Sequence, residues 1–162
     1  MKNLRSIALL SIIVFSLVSF TKPVESTKYK CMIQMTNYTG EGAYIVISLL
    51  NPEGEYVETL NVIGDDDEWY NTLESWWDFY GKRRTDIDAI TGATISGGER
   101  TINVIEIDND KIDKGYKLRF ESAVEDQEYY EKDVEIELTS ANVKSKVEGH
   151  GFIRYIRMMP QK

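Results

Sequence analysis

The stretch Ala43-Tyr44-Ile45-Val46-Ile47-Ser48-Leu49-Leu50-Asn51-Pro52-Glu53-Gly54-Glu55-Tyr56-Val57-Glu58-Thr59-Leu60-Asn61-Val62 decides the fold class. Ala43 to Leu50 is a strongly apolar run, short enough for a strand and rich in β-branched side chains. Asn51-Pro52-Glu53-Gly54 supplies tight-turn chemistry, with Pro presetting φ and Gly tolerating a left-handed residue. Glu55 to Val62 then brings Tyr56, Thr59 and Val62, which suit a strand. Together these read as a β-hairpin.

Working outward, the same period recurs. Upstream, Tyr29, Cys31, Ile33 and Met35 alternate with Lys30, Met32 and Gln34, so Tyr29–Met35 reads as a strand with one apolar face. Asn37 to Gly42 is a turn. Downstream, Gly64-Asp65-Asp66-Asp67 predicts a helix start, because carboxylates favour the positive end of the helix dipole. From Glu68 to Tyr80, residues Trp69, Leu73, Trp76, Trp77 and Tyr80 fall on one helical face, and Gly81 predicts the stop, followed by Lys82, Arg83 and Arg84. Strands follow at Thr101–Asp108, Tyr116–Ala123, Tyr129–Thr139 and Phe152–Met158. In the first of these, Ile102 and Val104 point one way and Ile105 and Ile107 the other, which predicts partial cover on both faces. Seven or so short strands at regular intervals with one helical insertion predict a mainly β chain. The expected architecture is an antiparallel, immunoglobulin-like β-sandwich with one inserted α-helix.

The chain has 162 residues, a formal net charge of −8 and a single cysteine. Lys2 and Arg5 precede an apolar run from Ile7 to Phe20, which is short for a membrane span and fits a secretory signal. Residues 1–26 are therefore expected to be a signal peptide or an N-terminal anchor, and 27–162 one domain of extracytoplasmic location. Cys31 alone cannot form an internal disulfide, so an ordinary apolar core must hold the domain, with Cys31 as a small buried group. The acidic balance argues against nucleic acid as a partner.

The segment 86–98 stands apart: Asp86-Ile87-Asp88-Ala89-Ile90-Thr91-Gly92-Ala93-Thr94-Ile95-Ser96-Gly97-Gly98. Gly92 and Ala93 carry almost no side chain, so a bulky group can come close to the backbone, and Thr91 and Thr94 flank them with hydroxyls. Its plainest reading is a Gly/Ser/Thr loop between strands. It lacks the Gly-Lys-Ser/Thr of a phosphate-binding P-loop, and no Gly-x-Ser-x-Gly elbow supports hydrolase chemistry with Ser96 and His150. Asp108, Asp110 and Asp113 lack the spacing of an EF-hand and read as a polar turn. His150, the only histidine, reads as a turn residue between two glycines.

The pattern Asp88-x-x-Thr91-Gly92-Ala93-Thr94 resembles the flavinylation motif of extracytoplasmic bacterial flavoproteins. The order of the other pieces extends that likeness: Tyr56-Val57-Glu58-Thr59-Leu60, Trp76-Trp77, Gly115-Tyr116-Lys117-Leu118 and Gly149-His150-Gly151-Phe152-Ile153-Arg154-Tyr155. Over roughly Ala43 to Arg157 the chain resembles a family of predicted bacterial periplasmic proteins of unknown function, whose genes often accompany PepSY-type membrane flavoproteins. The resemblance implies FMN joined covalently to Thr94 by an FAD:protein FMN transferase. It also implies a docking or orienting role for Asp88, close approach at Thr91, Gly92 and Ala93, and a redox partner of the PepSY type. Trp76 and Trp77, with Tyr80, are the expected stacking groups. The implied role is extracytoplasmic electron transfer rather than turnover of a substrate. The second class is an envelope β-sandwich that binds or assembles without a cofactor.

Overall fold

The structure, a computed structural model, describes residues 24–83 and 90–161. The segment expected to be a signal peptide or anchor thus lies almost wholly outside the described residues, as do Asp86 and Asp88. Strands β1 (Ser26–Met35), β2 (Tyr44–Leu50), β3 (Tyr56–Ile63), β4 (Thr91–Gly92), β5 (Arg100–Asp108), β6 (Lys117–Ala123), β7 (Tyr129–Glu137), β8 (Lys146–Glu148) and β9 (Ile153–Pro160) form two sheets. One sheet has the order β5-β1-β9-β8 and the other β4-β3-β2-β6-β7. Pairing is antiparallel except between β3 and β4, where Val62 faces Thr91 and Ile63 faces Gly92. The mainly β, antiparallel sandwich read from the sequence is the architecture of the chain. Among the described residues, no helix is long and apolar enough to cross a membrane.

The inner faces of the two sheets bury Cys31, Ile33, Ile45, Ile47, Leu118, Phe120, Ile136 and Ile156 in one core. Each such aliphatic side chain contributes about 1.5–3 kcal/mol when removed from water. Burial pushes the Cys31 thiol up to about 12, so it packs as an apolar group. On the opposite face of the five-stranded sheet, Val46, Val62 and Ala123 bury a second cluster with Tyr70, Leu73 and Trp76. Strand β2 is therefore covered on both faces, which is why residues 45–50 are apolar almost without alternation.

That second cluster lies under a 3₁₀ turn (Asp67–Thr72) and helix α1 (Glu74–Arg83). The expected single helix is split. The Asp66 carboxylate accepts from Glu68 N at 3.0 Å, and Leu73 (φ −89°, ψ 70°) leaves helical geometry before α1 begins. The helix then runs through Gly81 to Arg83 rather than stopping at Gly81. A Cβ at Gly81 would lie 3.3 Å from the Trp77 ring, so a residue without a side chain lets that indole lie along the helix. The sheet itself caps α1: the Glu121 carboxylate accepts from Trp76 N (3.1 Å) and Tyr129 Oη (2.5 Å), and Tyr129 Oη accepts from Ser75 N (3.0 Å).

In β5 one face is buried and the other only about half covered. Ile105 and Ile107 are buried, whereas Ile102 and Val104 are 55% and 50% exposed on the outer side of an edge strand. The reason is position: among the described residues, no layer packs outside the four-stranded sheet as α1 does outside the other.

Candidate functional site at the Thr94 crossing

Residues 90–99 leave the edge of one sheet and arrive at the edge of the other. Asn61 Nδ2 donates to Ile90 O (2.8 Å), and Gly64 N donates to Gly92 O (2.5 Å), which fixes the departure on β3. Ile95 bridges Ala43 in both directions, with N–H to O distances of 2.8 and 3.3 Å. Tyr38 Oη reinforces that bridge by donating to Ile95 O (2.5 Å) and accepting from Ala43 N (2.9 Å). The arrival is a tight turn in which Gly98 N donates to Thr36 O (2.7 Å) and Met35 N donates to Glu99 O (3.0 Å). A Cβ at Gly97 would sit 2.0 Å from Tyr38 O, and Gly98 has φ +77°, so both glycines of this pair are required by the backbone path.

Thr94 lies between these anchors. It is partly buried, and among the described residues no hydrogen bond reaches its hydroxyl. Gly92 and Ala93 beside it are exposed, and a Cβ at Gly92 would meet nothing within 4 Å. On its other side Gly42 presses close: a Cβ there would lie 2.4 Å from Thr94 Oγ1.

Two clefts open at Thr94. The larger, about 310 Å³, lies between the sheets and is lined by Ile63, Gly92, Ala93, Thr94, Ile95, Glu99, Arg100, Thr101 and Asn103. The smaller, about 160 Å³, is lined by Glu41, Gly42, Tyr44, Trp69, Thr94 and Glu125. Their electrostatics differ. In the larger cleft, Arg100 is the cation, held by its Nε to Gln34 Oε1 (3.0 Å), while the Glu99 carboxylate is engaged by Ser96 N (3.2 Å). Asn103 Nδ2 is buried there without a partner. In the smaller cleft, burial first, then the charges of Asp66, Asp65 and Glu125, raise the Tyr44 phenol above its ordinary value. That surrounding is anionic.

A family model described as "Predicted periplasmic protein (DUF2271)" matches residues 26–155. The chain belongs to this family. The match spans all the strands but the last residues of β9, and the family is described as predicted periplasmic and of unknown function. No curated protein and no solved structure matches the chain.

Of the residues singled out in the sequence, the structure brings Gly92, Ala93 and Thr94 to one cleft. Thr91 sits one position earlier, partly buried and paired with Val62. Asp88 lies outside the described residues. Trp76 and Trp77 line neither cleft: Trp76 is fully buried, donates from Nε1 to Thr59 Oγ1 (2.8 Å) and stacks on Tyr80 at 4.7 Å, while Trp77 is partly buried against Tyr80. The aromatic pair beside Thr94 is Trp69 and Tyr44 instead. Arg100, Thr101 and Asn103 were not singled out at all. Their signal was parity, because Thr101 and Asn103 occupy the same face of β5 as the buried Ile105 and Ile107.

His150 and the acidic turn take structural roles. The His150 and Gly151 amides and that of Ile153 all donate to the Asp133 carboxylate, and Asp113 accepts from Ser140 N and Oγ.

Proposed function

We propose that this protein is an exported FMN carrier in extracytoplasmic electron transfer, with FMN esterified to Thr94. The observation that carries the reading is the state of that hydroxyl: it has no partner within the described chain, stands beside open backbone at Gly92, and borders a cleft of ligand size. The residues present suit the group. Arg100 offers a positive charge near a phosphodiester, and Asn103 Nδ2 is a buried donor in want of an acceptor.

Attachment requires an FAD:protein FMN transferase. Thr94 Oγ forms a bond to the FMN phosphorus of FAD, the pyrophosphate P–O bond breaks, AMP departs, and the hydroxyl proton is released. Threonine is a weak nucleophile, and among the described residues no base lies in hydrogen-bonding contact with Thr94, so activation falls to the transferase. Bound flavin supplies one- or two-electron chemistry; the chain positions it and sets its electrostatics. A PepSY-type membrane protein is the proposed redox partner.

The test is intact-protein mass spectrometry after co-expression with the transferase. The expected result is the added mass of one FMN moiety, absent in Thr94→Ala. No added mass, or one that survives Thr94→Ala, overturns the reading and leaves a cofactor-free envelope sandwich.

A further inference from the structure

Thr94 borders two clefts, and a ring carried there has a choice between them. We infer that the flavin ring seats in the inter-sheet cleft beside Asn103 and not against Trp69. The inference rests on the FMN reading above.

Three observations carry it. First, charge: a phosphodiester is an anion, and in the lining of the inter-sheet cleft Arg100 offsets Glu99, whereas the smaller cleft is lined by Glu41 and Glu125 with no cation beside them. Second, size: small-ligand sites occupy about 300–1,000 Å³, a range that the inter-sheet cleft of about 310 Å³ enters and the 160 Å³ cleft does not. Third, an unmet donor: Asn103 sits at a β5 position whose alternation calls for a core side chain, yet its Nδ2 is buried without a partner. An orphaned buried donor of this kind costs about 1–3 kcal/mol, and an acceptor on the ligand removes that cost. A flavin ring presents carbonyl oxygens and ring nitrogens that accept, so Asn103 is assigned as a positioning and potential-setting residue.

A donor to the ring gains strength as the ring takes up electrons, because negative charge grows on the acceptor. Asn103 therefore raises the flavin midpoint potential. Asn103→Val removes the donor and Asn103→Asp replaces it with an acceptor. In transferase-treated protein, each variant is first checked for the FMN mass, then titrated for midpoint potential and measured for flavin fluorescence lifetime. The expected result is full attachment in all variants, a potential lowered in Asn103→Val and lowered further in Asn103→Asp, and a lifetime unchanged by Trp69→Phe. Attached flavin whose potential ignores both Asn103 variants, or whose fluorescence lifetime lengthens in Trp69→Phe, places the ring against Trp69 and overturns this inference alone. Absence of attached FMN in the wild-type chain overturns it together with the reading beneath it.

Discussion

Along the β7 side of the sandwich, the fully buried Asp133 carboxylate gathers the amides of His150, Gly151 and Ile153 at 2.8–3.0 Å and the Ser122 hydroxyl at 2.5 Å. Along the β4 side, the crossing from β4 to β5 leaves a cleft, with a hydroxyl and an amide donor that have no partner among the described residues. Both seams join the edge of one sheet to the edge of the other. One is closed by meeting every polar demand inside the chain; the other leaves demands standing. The contrast teaches how a sandwich separates its stable side from its available side: buried polar groups rigidify where satisfied and await a ligand where not.

The comparison breaks most visibly at Asp133. Asp133→Ala takes the acceptor from the Gly151 and Ile153 amides and from the Ser122 hydroxyl, while the His150 amide keeps the Asp133 carbonyl. At about 1–3 kcal/mol for each stranded group, a loss of about 3 kcal/mol or more is expected in urea denaturation. A loss below about 1 kcal/mol would mean that this seam is not held by the carboxylate.

A second carboxylate sharpens the comparison by being intermediate. Glu121 has one oxygen engaged and the other buried without a partner, and burial pushes its carboxyl up from 4.5 to about 7. A folded value above the unfolded one favours the protonated form. The stability that Glu121 contributes is therefore fully present below about pH 4.5 and is lost as pH rises through about 7. The drop attributable to this group is about 2–3 kcal/mol, and Glu121→Gln should flatten it in denaturation curves taken between pH 4 and pH 8.

The smallest effect is expected at Thr94. With no hydrogen-bond partner to lose among the described residues, Thr94→Ala should change unfolding free energy by less than about 0.5 kcal/mol, while removing the FMN mass that the proposal expects. A large destabilisation would show that the hydroxyl serves the fold.

Much of this was legible in residue order. The seven longer strands followed from alternation and turn chemistry, as at Asn51-Pro52-Glu53-Gly54, where Gly54 adopts φ +87°. Strands β4 and β8 were not, because two or three residues carry no period. The split of the helix at Leu73 was also hidden: a 3₁₀ turn and an α-helix share nearly the same apolar spacing over so short a span. At the site, Thr94 and its small neighbours were readable from residue type. Arg100, Asn103 and Trp69 were not, because sheet register and the return of the chain bring them there. The parity of Asn103 with Ile105 is the one local clue, and it is masked by Ile102 and Val104, which make the other face look equally apolar.

The pinning of residues 90–99 at Ile90, Gly92, Ile95 and Gly98 has one more consequence. Such a segment is a bracket and not a swinging arm. A group mounted on residue 94 could range only as far as its own chemical linker allows; under the FMN proposal, an electron donor or acceptor would have to come up to the β4–β5 rim, and the contour of that rim would govern which proteins could exchange charge with it.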